Sequence, residues 1–323
     1  MARPTAGAPR YEVRPADSDL DAAVRLADAA VRAHPWAQLR ADEISARIAD
    51  RLRTKEQPAA LLRVDGVPEG FATWVERGPL GLSIELLYAT PSVASVEGYD
   101  AFLSGIAEQF RPLVFLQGSV AGLTADDEAR LMERRGLRPF GRSEMQRVGK
   151  APPAAAPLPP GARLRAIGPE DEGELVRLHG AAYRGRFDRY LFLESTDEAE
   201  DARALVRDVF GGRWGALSTA GSLGLEADGQ LRAAVLSVRR SEGTLIADVM
   251  VDPAAQGRGL GRAVLTAVLA ALDRAGESPA VLNVTEGNVR AQRLYAHLGF
   301  ERSLGPSREW YNPRIVPFRP DAG

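Results

Sequence analysis

The chain has no cysteine. Disulfides, thiolate metal sites and a cysteine nucleophile are excluded, and a thioester intermediate carried on the protein goes with them. The absence fits a reducing, cytoplasmic setting. No charge of one sign dominates: 41 basic residues, almost all arginine, stand against 43 acidic ones. The balance is even within each half, with 20 basic and 21 acidic residues in 1–150, then 21 and 22 in 151–323. Neither half carries the basic field that nucleic acid or an anionic membrane would attract, so neither partner is expected. Long hydrophobic runs are also missing. Met1 to Arg10 is short and Pro-containing, and reads as a frayed leader rather than a signal peptide or membrane span.

What is there is an ordinary globular composition, 45% apolar and 26% charged over 323 residues, long enough for two domains. Prolines at 152, 153, 157, 159 and 160 mark 150–161 as a semi-rigid spacer. The halves on either side repeat their landmarks. Asp65-Gly66 and Asp228-Gly229 are hairpin turns between apolar runs. Ala89-Thr90-Pro91 and Val251-Asp252-Pro253 each end a strand at a proline. Leu131 to Gly136 and Leu294 to Gly299 are late helices running into glycine. The three pairs recur at offsets of 163, 162 and 163 residues, the mark of a tandem duplication.

In the second half the pattern predicts a strand over 162–167, helices over 170–182 and 198–210, and strands near 222–227, 231–239 and 244–251. A helix follows over 261–275, a strand over 280–285, a helix over 288–297, and short strands near 300–304 and 308–312. Three antiparallel strands followed by alternating strands and helices make a mixed α/β sheet.

The segment with chemical content is Leu245 to Gly261. An apolar strand stops at Pro253, and Gln256-Gly257-Arg258-Gly259-Leu260-Gly261 opens a helix at Arg262. Glycines there permit positive φ and close backbone approach, and the first N–H groups of a helix lack internal partners. Together they form an anion cradle suited to phosphates. The glycine spacing is G-x-G-x-G, which is neither the dinucleotide fingerprint nor a Walker loop. On spacing alone, a structural glycine-rich turn is the default reading.

The combination resembles the GNAT (GCN5-related) N-acetyltransferase superfamily, whose signature is Gln/Arg-x-x-Gly-x-Gly/Ala after a strand ending near a proline. A second segment agrees: Asn288 opens a helix that runs to Leu294-Tyr295-Ala296-His297-Leu298-Gly299-Phe300. The resemblance implies an α/β chain of two tandem GNAT-like domains, each a mixed, mostly antiparallel sheet flanked by helices. The boundaries are a leader 1–10, a degenerate domain 11–149, the linker 150–161, a catalytic domain 162–314 and a tail 315–323.

It also implies acetyl-CoA as co-substrate, with no metal. The cofactor would be held by Gln256, Gly257, Arg258, Gly259, Leu260, Gly261 and Arg262 at the pyrophosphate. Backbone groups of Val249, Met250 and Val251 would hold the pantetheine arm, and Asn288 would lie nearby. Asn288 also reads as a plain helix N-cap. Tyr295 corresponds to the tyrosine that protonates the departing thiolate, or else is a core aromatic. In the first half, Ser92-Val93-Ala94-Ser95-Val96-Glu97-Gly98 replaces the cradle and Met132 replaces Tyr295, so that half is expected to be inactive.

The stretch from Val251 to Gln256 is similar to that of the mycothiol synthase family, tandem GNAT enzymes with one degenerate half. The carboxylate that several such enzymes place early in the strand before the loop is Leu245 here. The alternative place, in the following strand, holds Asn283. Asp248, Glu242 and Glu286 remain as candidate bases, and Asp248 reads equally as a paired structural carboxylate. The expected partner is a small-molecule amine, bound by a monomer or homodimer; an acyl-CoA-binding regulatory module is the competing expectation. Tyr183 to Tyr190 mixes aromatics and cations where an acceptor would lie, as a solvated connection would also do.

Overall fold

The computed structural model describes residues 8–34, 41–118, 120–148, 157–158, 160–191, 197–241, 243–303, 307–317 and 319–320. Most of the leader, most of the linker and Glu242 lie outside the described residues. The first half of the sequence forms β1 (Tyr11–Pro15), α1 (Leu20–Ala33), α2 (Ala41–Arg53), β2 (Ala59–Val64), β3 (Val67–Glu76), β4 (Leu82–Ala89), α3 (Val96–Gln109), β5 (Leu113–Leu116), α4 (Ala125–Arg134) and β6 (Arg138–Arg147). The second half forms β7 (Arg163–Ala166), α5 (Glu172–Tyr183), α6 (Glu198–Phe210), β8 (Ala216–Leu217), β9 (Leu223–Ala227), β10 (Gln230–Arg240), β11 (Gly243–Val251), α7 (Leu260–Ala275), β12 (Ala280–Thr285), α8 (Val289–His297), β13 (Glu301–Arg302) and β14 (Ser307–Tyr311).

Local chemistry explains the boundaries. Asp65-Gly66 and Asp228-Gly229 both have positive φ and close the hairpins β2–β3 and β9–β10, the twist that suits a two-residue turn. Asp19, Ser95, Thr124 and Asn288 each accept a hydrogen bond from a first-turn amide of the helix they open. Gly276 ends α7 in the left-handed region. Among the described residues no helix is long and apolar enough to cross a membrane.

The chain divides into two compact units: residues 1–140 with 308–316, and residues 141–307 with 317–323. The first unit has strand order β1-β2-β3-β4-β5-β14, and the second β6-β12-β11-β10-β9-β7, with β13 on β6 and β8 on β10. Each half of the sequence therefore lends its last strand to the other unit. The sequence pattern puts the strand near 308–312 inside the second domain, 162–314. It pairs instead with β5, Trp310 opposite Leu116 and Tyr311 opposite Phe115. The Trp310 indole donates to buried Glu128 at 2.7 Å, which anchors β14 in the first unit. In the second unit residues 142–147 of β6 pair along the whole of β12. Strand partnership depends on long-range complementarity, which a local pattern does not carry.

Both faces of each sheet are covered. In the second unit, Ile246, Val249 and Val251 of β11 pack toward α7 residues Val264, Leu265 and Val268. On the other face, Leu245, Ala247 and Met250 pack toward α5 and α6 residues Leu178, Val206 and Val209. In the first unit, α3 covers one face through Phe102 and Ile106, and α1 with α2 covers the other through Val31 and Ile48.

Candidate active site

β11 is the strand around which the site is built. It pairs with β12 in parallel at only two positions, Thr244 with Ala280 and Leu245 with Val281. Beyond them the two strands diverge, while β11 stays bonded to β10 as far as Val251 opposite Ala233. Among the described residues, one edge of β11 over 246–251 is thus left without a neighbouring strand. Backbone groups on such an edge need a partner. The Asp252 N–H turns toward β10, donating to Arg232 O at 2.8 Å. Strand alternation then sends the groups of Val251 and Val249 to the open side.

At its end β11 turns sharply. Asp252 caps the turn Pro253–Ala255 through Ala254 N at 2.9 Å and pairs with Arg232 at 2.7 Å. Gly257 and Gly259 follow at φ +80° and +79°, and Gly259 is the N-cap of α7. Neither glycine is crowded, since an added Cβ would meet nothing within 4 Å. Their role is conformational. Gly261 is different: an added Cβ would come within 3.2 Å of Val251 Cγ2, so the helix start sits close on the strand end.

The first helical bond at this end is Ala263 N–H to Gly259 O, at 2.9 Å. Among the described residues, the amides of 257 to 262 have no hydrogen-bond acceptor. They form a row of unsatisfied donors at the positive end of a helix dipole. Gly257, Arg258, Gly259 and Arg262 are exposed. Leu260 is buried in the core, so only its N–H faces the cradle. Met250 is likewise buried toward α5, and by the same alternation its backbone groups turn toward Ala234 of β10, so unlike Val249 and Val251 it offers the open edge nothing. Gln256 braces the loop, accepting from Arg290 at 2.7 Å and donating to Val251 O at 3.5 Å.

Asp248 faces α5 because of a β-bulge. Leu236 opposes Asp248 while the next residue, Ser237, opposes Ile246, so Ala247 is the extra residue. A bulge changes which face the following side chains take. Without it Asp248 would point toward α7. With it, Asp248 takes the face on which Leu245 lies, the place where the family pattern expects a carboxylate. The same irregularity recurs in the first unit at Thr73/Trp74 against β4, in keeping with a repeated architecture.

The Asp248 carboxylate is fully buried. The Tyr183 hydroxyl donates to Oδ1 at 2.5 Å, and His179 Nε2 stands 3.8 Å from Oδ2. His179 and Tyr183 occupy i and i+4 on α5, with ring centroids 4.5 Å apart. Burial raises the proton affinity of Asp248 above that of an ordinary carboxylate, opposed by His179, the Tyr183 hydrogen bond and the Val249 N–H. Burial lowers the His179 pKa and keeps its ring neutral. Burial also raises the Tyr183 and Tyr295 phenols, and the charge of Asp248 adds to the effect. Tyr295 is buried on α8 with Phe300 at 5.9 Å, so it packs in the core and stands in the field of Asp248 together. Asn288 caps α8 through Ala291 N and donates from Nδ2 to Asp188 at 3.3 Å.

Glu286 does not join this group. It accepts from Ser143 and pairs with Arg302 at 2.8 Å, tying β6 to the segment before α8. Asn283 is exposed on β12. Sequence reasoning passed over His179 and valued Tyr183 only as part of a loop. The His-x-x-x-Tyr spacing on a helix was the available signal.

The first unit shows what replaces such a site. β4 and β5 also diverge, after Ile84 opposite Leu116. There Tyr99, fully buried in the first turn of α3, fills the opening. Its hydroxyl accepts from Ala89 N at 2.9 Å and donates to Ala121 O at 2.7 Å, satisfying the strand end internally. Ser95 occupies the Gly98 amide, and Met132 is buried.

The acetyltransferase (GNAT) family model matches residues 179–300, the stretch from the buried histidine to the end of the α8 turn. A mycothiol acetyltransferase of Beutenbergia cavernae is 31% identical over 229 residues, covering 68% of this chain and 74% of that protein. One of Mycobacterium ulcerans is 31% identical over 173 residues, covering 44% of this chain and 48% of its own length. Among solved structures, a GCN5-related N-acetyltransferase from Sphaerobacter thermophilus superposes with TM-score 0.65 at 22% identity, covering 96% of this chain and 97% of its own. A tandem GNAT protein from the clavulanic acid biosynthesis pathway does so with TM-score 0.59 at 15% identity, over 93% and 98%. With its fold, its glycine turn and these relatives in agreement, the chain belongs to the GNAT acetyltransferase family.

Proposed function

We propose that the second unit moves an acetyl group from acetyl-CoA to a primary amine of a small molecule, by direct attack in a ternary complex. The observation that carries this reading is the row of unsatisfied amides over 257–262 beside the unpaired edge of β11. Those donors fit a pyrophosphate, and the strand edge fits the amide-bearing pantetheine arm. The neutral amine nitrogen forms its bond to the thioester carbonyl carbon, the C–S bond breaks, the Tyr295 phenol passes its proton to the sulfur, and the second proton shed by the nitrogen as it becomes an amide restores the phenol. Asp248 takes the proton lost by the ammonium. Because its carboxylate has no exposed surface, the proton travels through Tyr183: the phenol gives its own proton to Asp248 Oδ1 and accepts one from the nitrogen.

The experiment is a panel of primary amines with acetyl-CoA and the full chain, reading free CoA. Release that depends on an amine is expected. Acetyl-CoA binding without amine-dependent release across the panel would replace this reading with a binding module. A narrower second reading is favoured by the two mycothiol acetyltransferases at 31% identity: that the acceptor is desacetyl-mycothiol. A kcat/KM for that amine no higher than for simple alkylamines would sink it.

A further inference from the structure

Asp188 lies in the single turn after α5, Phe187–Leu191, and the transfer chemistry above does not use it. Its carboxylate is held on both sides by neutral donors. The Thr285 hydroxyl donates to Oδ1 at 2.5 Å, and Asn288 Nδ2 donates to Oδ2 at 3.3 Å. Among the described residues it makes no ion pair. Thr285 ends β12 and Asn288 opens α8, so Asp188 is fastened where β12 has parted from β11.

The charge of Asp188 reaches the centre of the site. It raises the proton affinity of Asp248, Tyr183 and Tyr295. For Tyr295 the two charges that act are both negative, Asp248 and Asp188. The buried His179 ring is neutral, and Arg189 of the same turn faces Asp201 at 3.6 Å. Asp248 supplies a second, separate observation. Its side chain is fully buried, yet Oδ2 has no hydrogen-bond donor among the described residues. A buried carboxylate oxygen without a donor is costly, and a cation held nearby offsets part of that cost.

Resting on the acetyl-transfer reading, we propose that Asp188 holds the acceptor's ammonium group beside Asp248, so that the enzyme takes primary amines with no carboxylate or phosphate next to the nitrogen. An ammonium meets the Asp188 carboxylate directly and lies in the field of Asp248, which is sealed behind Tyr183. An α-amino acid carries its own carboxylate into the same field and is repelled. At about 5 Å and an effective dielectric near 20, that repulsion disfavours the acid by roughly 100-fold.

The test uses matched probes on the full chain, phenylalaninamide and phenylalanine, with binding read by calorimetry and turnover by CoA release. The amide is expected to bind at least about tenfold tighter than the acid. Asp188→Asn should bring the two close together and raise the amide's KM by about 10–100-fold, with a smaller change in kcat. Asp188→Glu should restore part of the preference, and Thr285→Val, which loosens the carboxylate, should weaken it partially. An unchanged thermal midpoint shows that the Asn variant is folded. Equal binding of amide and acid, or an unchanged preference in Asp188→Asn, overturns the proposal. Selective amide binding without CoA release keeps the ammonium site and overturns acetyl transfer. Release from both probes without preference does the reverse, and no binding and no release overturns both.

Discussion

Gly259 is where the cradle is most exposed to a decisive substitution. Its φ of +79° is left-handed, it is the N-cap of α7, and an added Cβ would meet nothing within 4 Å. Alanine therefore introduces no clash. Its cost is the left-handed conformation alone, about 1–2 kcal/mol. Glutamate adds the same backbone cost and a negative charge among amides left open for a phosphate. Two unit charges about 6 Å apart at an effective dielectric of 20 interact by roughly 3 kcal/mol. That is about 100-fold in affinity for each phosphate charge. Calorimetry with acetyl-CoA should thus show a loss of at most roughly 5–30-fold for Gly259→Ala and at least about 100-fold more than that for Gly259→Glu. Salt separates the two, because screening recovers part of the glutamate effect and none of the alanine effect. The measurement needs the full chain, since a fragment beginning after the linker lacks β6 and leaves β12 without its antiparallel neighbour. Equal affinity in wild type and Gly259→Glu would refute the assignment of the pyrophosphate to this turn.

Tyr295→Phe should lower turnover by roughly 10²–10⁴-fold with little change in acetyl-CoA affinity, and an unchanged chemical step would return the ring to a packing role. Asp248→Asn should lower turnover by a comparable roughly 10²–10⁴-fold and remove the low-pH limb of kcat/KM. Because burial raises the folded-state pKa of Asp248, that limb should lie above the ordinary carboxylate range. The same shift means the folded chain binds the proton more tightly than the unfolded one, so stability falls as pH rises through the window above about 3.9. Removing the charge should therefore leave the melting temperature at pH 7 unchanged or higher, and a rate loss that tracks a lower melting temperature would make Asp248 structural. Trp310→Ala empties a fully buried site and strips a donor from Glu128, and should cost about 3–5 kcal/mol in urea unfolding. A loss below about 1 kcal/mol would deny β14 its anchoring role in the first unit.

The elements that were legible are those written in local chemistry. The Asp-Gly turns, the N-caps and the strand–glycine–helix passage from Leu245 to Arg262 all depend on neighbours a few residues apart. Their periodicity therefore marks them in a linear reading. The cradle residues were legible for the same reason, because backbone amides at a helix start need only φ values that glycine permits. Asp248 stood out as one charge in an apolar strand, but its partners did not, since His179 and Tyr183 come from a helix more than sixty residues away.

By itself the sequence determined the duplicated α/β architecture, the position of the glycine turn before α7 and the absence of such a turn before α3. These follow from the propensities and backbone needs of short segments. Only the tertiary structure decided the rest. It placed Asp248 on the α5 face through a bulge that becomes visible when β10 and β11 are set in register. It filled the first unit's opening with Tyr99. It also gave β14 to the first unit and β6 to the second. Each of these rests on contacts between residues far apart in the chain, and the free energy of such contacts depends on which surfaces meet, a property that no single segment carries.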